Sequence, residues 1–178
     1  MSLQKLLESI DGYTSCGLIR EKTPISARDI ALLRDDDLAN CSGGCGNYGR
    51  HFSCPPYAPK PSEMAKVVNS YSDALLVVLD GRLDRQNETN ITMLMLEHDA
   101  RAAGFSRAFA FFAYPCSLCG TCPMTPDERV AECQKPLRMR PTIDTFVKVL
   151  KTLENAKQPF RRYAEGEEFD MYSIVLLE

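Results

Sequence analysis

The sequence predicts one α/β domain over residues 1–178: a βαβ-containing, mostly parallel sheet with flanking helices and two irregular, cysteine-rich metal-binding loops at 41–56 and 116–136. Three observations lead to it. Residues 74–79 (Ala-Leu-Leu-Val-Val-Leu) form a near-continuous apolar run with β-branched members, the pattern of a strand covered on both faces. A helical stretch at 90–103 and an aromatic-rich run at 107–114 follow, so strand, helix and strand come in the lengths of a crossover with parallel pairing. Seven of the eight cysteines gather in two clusters, as a metal site needs and a scattered disulfide framework does not.

A chain of 178 residues, 44% hydrophobic and 25% charged, has the size and composition to bury a core without disulfide staples. The net charge is −3, and acidic and basic residues are mixed, with no basic stripe. Nucleic acid is therefore not an expected partner. The longest apolar runs are too short to span a bilayer and no secretory signal opens the sequence, so a cytoplasmic setting away from the membrane is expected. Thiols stay reduced there, which favours metal over disulfides.

Taken in order, Leu3, Leu6, Leu7 and Ile10 have helical spacing, and Gly12 is the expected stop. Cys16 follows, either a buried packing residue or a ligand. Ser26, with Asp29 three residues on, caps a second short helix that turns Ile30 and Leu33 inward. The acidic run Asp35-Asp36-Asp37 reads as a solvated end. Ser62 starts a helix with an inward stripe of Met64, Val67, Val68 and Tyr71. In the helix at 90–103, the predicted inner face is Ile91, Leu94, Met95, His98 and Ala102, with Gly104 as the stop. His98 reads there as a core histidine with one hydrogen bond rather than a ligand, and Met93 and Met95 as packing residues. Thr142 caps a helix burying Ile143, Phe146, Val147, Leu150 and Leu153. Residues 171–177 form a final strand, apolar enough to be central.

The chemistry lies in the two cysteine loops. Cys116-Ser-Leu-Cys119-Gly-Thr-Cys122-Pro123, with Cys133 and Pro136 further on, has the spacing that points three sulfurs into one hollow, with a fourth to close it. A [4Fe-4S] cluster fits this run. A structural zinc ion on the same four thiolates is the alternative, and disulfide or free thiols the plainer one. Lys135, Arg138 and Arg140 follow closely, either as cations favouring an anionic cluster or as ordinary exposed side chains. The loop Cys41-Ser-Gly-Gly-Cys45 to Cys54-Pro55-Pro56 has four glycines to wrap a compact object, but only three thiolates. Cys16, His51 or an outside ligand would fill its fourth position. An iron–sulfur cluster, zinc on three cysteines and His51, and unligated thiols all remain open for it.

These residues resemble a family of uncharacterised prokaryotic proteins described as predicted metal-binding proteins, a domain of unknown function numbered 2284. The matching pieces are Cys41…Cys45-Gly-Asn-Tyr-Gly…Cys54-Pro-Pro, Leu96-Glu97 ahead of Gly104-Phe105, Cys116-x-Leu-Cys119-x2-Cys122…Cys133-x2-Pro136, and Arg140-Pro141-Thr142. The resemblance implies metal or iron–sulfur binding through Cys41, Cys45, Cys54, Cys116, Cys119, Cys122 and Cys133. One departure stands out: Thr142-Ile143-Asp144 comes directly after Arg140-Pro141, where the family continues with a Ser-Met-Glu-Ala-like stretch and places an Ile-Asp pair later.

The expected function is a metal-binding, iron–sulfur protein that carries one or two clusters and exchanges electrons with a redox partner protein. No Gly-x-Gly-x-x-Gly or P-loop run points to a nucleotide cofactor. A zinc-stapled binding module is the alternative. An enzyme using an open three-cysteine site, with Tyr48 or His51 as proton donor, is a third reading.

Overall fold

A computed structural model of the chain describes residues 3–14, 17–119, 122, 133, 139–161 and 169–178. Cys16, Gly120, Pro123, Lys135, Pro136 and Arg138 lie outside the described residues.

Four strands make one sheet in the order β1 (Ile19–Ser26), β2 (Asp73–Asp80), β4 (Asp170–Leu177), β3 (Phe109–Ala110), and every neighbouring pair is antiparallel. This corrects the mostly parallel sheet predicted from the sequence. β2 and β3 do run in the same direction, joined through a helix, but β4 is inserted between them and reverses the pairing on both sides. The crossover is a split one. Direction was misread because both β2 and β4 are covered on both faces, and a doubly covered strand shows the same unbroken apolar run in either kind of sheet.

Alternate residues of β2 face opposite layers. Leu75, Val77 and Leu79 pack on Leu6 and Ile10 of α1 (Leu3–Thr14) and on Met93, Leu96 and Ala100 of α4 (Gln86–Ala102). Ala74, Leu76 and Val78 face Met64 and Val68 of α3 (Pro61–Val68), Phe146 and Val147, and Leu153 of α5 (Val149–Asn155). The sheet is thus the middle of three layers.

β1 went unpredicted. Its Arg20, Glu21, Lys22 and Pro24 break the apolar alternation because it is an edge strand, where charge and proline block further pairing. Arg20 sits where the β1–β2 register shifts, and it reaches both Asp80 at 3.2 Å and Asp170 at 3.0 Å.

Other expectations shifted in detail. α1 continues past Gly12 to Thr14. Ser26 and Asp29 form the expected capping box, but on a 3-10 turn of three residues, Ala27–Asp29. The run 107–114 is regular strand only at Phe109–Ala110. After it, Phe111 still donates to Ile174 O, and Phe112 leaves β4 to bond Pro141 O. The helix expected after Thr142 is a 3-10 turn, Ile143–Thr145, followed by α5, and Leu150 is exposed rather than buried. Val67 is also exposed. Among the described residues, no helix is long and apolar enough to cross a membrane.

α4 turns a different face inward from the one predicted. Its buried residues include Asn90, Met93, Leu96, Glu97 and Ala100, while Ile91, Met95 and His98 are exposed. His98 is therefore not a core histidine. The inner face carries polar groups because the segment it covers needs hydrogen-bond partners. Ala110 N donates to Glu97 at 2.8 Å and Tyr114 N to Asn90 at 3.3 Å.

Candidate metal centre

The chain enters and leaves the 116–133 loop at fixed points. Before Cys116, the buried Asn90 side chain donates to the carbonyls of Tyr114 and Pro115 at 3.1 and 3.2 Å. Beyond Cys133, Arg140 is clamped to Glu97 at 2.6 and 2.8 Å and lies over the Phe109 ring. Phe112 then joins the two sides, donating to Pro141 O and accepting from Ile143 N. Arg140 is thus engaged inside the protein by Glu97, which corrects its reading as an ordinary exposed side chain.

Cys116, Cys119, Cys122 and Cys133 line one small hollow with Phe52, Leu118 and Met139. All four cysteines are half-buried. Burial pushes the Cys116 thiol above its ordinary value. A hydrogen bond from the Leu118 amide opposes this, and the nearby Cys122, Cys133 and Cys119 add to it. Thiolates crowded together repel one another unless a cation shares the space.

Cys41, on the short helix α2 (Ala39–Ser42), with Cys45 and Cys54, lines a second cavity of about 190 Å³. Cys45 N donates to Cys41 O at 3.2 Å, and Gly49 N closes the loop onto Pro55 O at 2.9 Å. Gly49 has φ 70°, a left-handed conformation that favours glycine. Cys54 is buried, with the hydroxyls of Thr142 and Ser53 at 3.8 and 3.9 Å from its sulfur. Burial pushes its thiol up to about 11, only partly offset by those hydroxyls. Burial also raises Cys41, helped by the charges of Asp144 and Cys45.

Two sequence candidates part here. Tyr48 lines the second cavity, whereas His51 does not. His51 Nδ1 lies 3.0 Å from Cys116 O, and since a carbonyl only accepts, Nδ1 carries the proton. His51 reaches toward the other cysteine loop. In the second cavity the structure adds a carboxylate, Asp144, that no spacing announced. Crowding by protein raises the Asp144 carboxyl above the usual carboxylate range, although the residue keeps an exposed face. Ser53 was also missed. It is fully buried between the loops, its hydroxyl accepting from Cys116 N at 2.8 Å and its carbonyl from Thr142 N at 3.0 Å.

The donor chemistry suits thiolate-bound metal, since four cysteines line one hollow and three line another. Among the described residues, no three His, Cys, Asp or Glu side chains are disposed as they stand to hold a metal ion. The family model described as "Predicted metal-binding protein (DUF2284)" matches residues 23–177, and the chain belongs to that family. No curated protein and no solved structure matches it.

Proposed function

We propose that the protein is an iron–sulfur electron carrier, with the closed carrier site at Cys116, Cys119, Cys122 and Cys133. The observation that carries this reading is the sharing of one small hollow by all four thiols, walled by Phe52, Leu118 and Met139. Sulfur donors with an apolar wall suit a cluster, because apolar walls keep water from the sulfurs and so influence the potential. When bound, the cluster would supply one-electron transfer. The chain's own residues would hold it: Ser53 and Asn90 fix the Cys116 side of the loop, and Glu97 with Arg140 fixes the return. The reading implies a redox partner protein and a reducing, cytoplasmic setting.

The same four thiolates are also a zinc donor set, so a zinc-stapled module is the second reading. Purification without air, followed by iron, zinc and acid-labile sulfide counts and EPR of the reduced protein, separates the two. Iron with sulfide and a signal that appears on reduction supports the carrier. Zinc without sulfide, together with unfolding by chelators, overturns it.

A further inference from the structure

We propose that Asp144 is the fourth donor of the second cavity, an oxygen ligand to the group that Cys41, Cys45 and Cys54 hold. This rests on reading the thiol hollows as metal-cluster sites. Asp144 lines the cavity together with all three cysteines. Its backbone is fixed there by the turn Ile143–Thr145, which Ile143 ties to Phe112 O and Thr145 Oγ1 ties to Thr142 O at 2.7 Å.

The carboxylate is uncommitted. Among the described residues, no other side chain bonds or pairs with it, and its own backbone amide is the hydrogen-bond partner it has. The lining contains no lysine, arginine or histidine. Three thiols and a carboxylate around one cavity, with no basic side chain among them, form a donor set that a cationic occupant can bind in place of their protons. The cavity of about 190 Å³ has room for more than a single ion among these four side chains. His51, the other described candidate for the fourth position, is directed to Cys116 O instead.

The test compares wild type with Asp144→Ala, Asp144→Cys and a Cys41→Ala/Cys45→Ala variant, all purified without air. Iron, zinc and sulfide are counted per chain, and EPR and Mössbauer spectra are recorded. The difference between wild type and the double cysteine variant is the share held by the second cavity. Asp144→Ala should lose about one metal in four of that share, or all of it, and Asp144→Cys should restore the count with an altered spectrum. Wild-type count and spectrum in Asp144→Ala would overturn the proposal. If that variant does not fold, an unaltered spectrum in Asp144→Cys overturns it instead. A wild type with zinc and no sulfide overturns the cluster reading alone, because loss or retention of zinc in Asp144→Ala still decides the role of Asp144. Equal counts in wild type and the double cysteine variant overturn the proposal and leave the reading of the Cys116–Cys133 hollow standing.

Discussion

The buried Ser53 hydroxyl accepts a hydrogen bond from the Cys116 amide at 2.8 Å, so the residue before Cys54 holds the first cysteine of the other loop. Through this bond, and His51 on Cys116 O, the two thiol hollows share a wall. Ser53→Ala leaves a partly buried N–H without that acceptor. It should lower the unfolding free energy by about 1–3 kcal/mol in urea titrations of the metal-free protein. Unchanged stability would mean the loops are held independently.

Glu97 is the second fastening. Its buried carboxylate receives Arg140, Arg101 and the Ala110 amide. The Glu97 and Arg140 side chains are only 6% and 11% exposed, so little water screens the pair. Glu97→Ala should cost about 3–5 kcal/mol, since removing one partner leaves the other charge buried. Glu97→Met combined with Arg140→Met should recover most of the loss. Thermal denaturation of the two variants checks this, and equal losses in both would contradict it.

Gly81 follows β2 at a close approach of two segments. Its amide donates to Phe169 O at 2.8 Å, and its carbonyl accepts from Tyr114 O–H at 2.6 Å. A Cβ there would fall on the Phe169 carbonyl and ring. Gly81→Ala should therefore destabilise by about 1–3 kcal/mol through overpacking. A wild-type melting temperature would show that the segment yields freely.

The acidic run ahead of Cys41 is tied down rather than simply solvated. Asp35 accepts from the Ser62 amide and hydroxyl at the start of α3, both at 2.9 Å. Those bonds hold its pKa below the ordinary carboxylate value. A depressed folded value means the stabilisation is present above the ordinary carboxylate pKa and is lost as pH falls through the lowered one. The Ser62 amide resonance should thus titrate below the ordinary aspartate value, and Asp35→Asn should abolish that titration. A Ser62 amide that shifts only above this value would sink the assignment.

Local chemistry was readable from the chain alone. The Cys-x2-Cys-x2-Cys run and the Cys41–Cys54 loop group thiols along the chain, and in the structure these cysteines line two hollows. The apolar runs at 74–79 and 171–177 likewise marked strands covered on both faces, and β4 is indeed central. Non-local choices were not readable. A strand buried on both faces carries no mark of its direction, so the insertion of β4 between β2 and β3 came only with tertiary structure. The inner face of α4 was hidden for a related reason. Two apolar stripes compete on that helix, and Asn90 and Glu97 are drawn inward by backbone groups of a segment more than ten residues away. Asp144 met the three cysteines in the same way. It lies some ninety residues beyond Cys54, and the pairing of Phe112 with residues 141–143, together with the Thr142 amide on Ser53 O, carries it to their cavity. Sequence spacing reports which donors are neighbours along the chain. Which distant carboxylate joins them is decided by the hydrogen bonds and buried layers that fold one loop base against another.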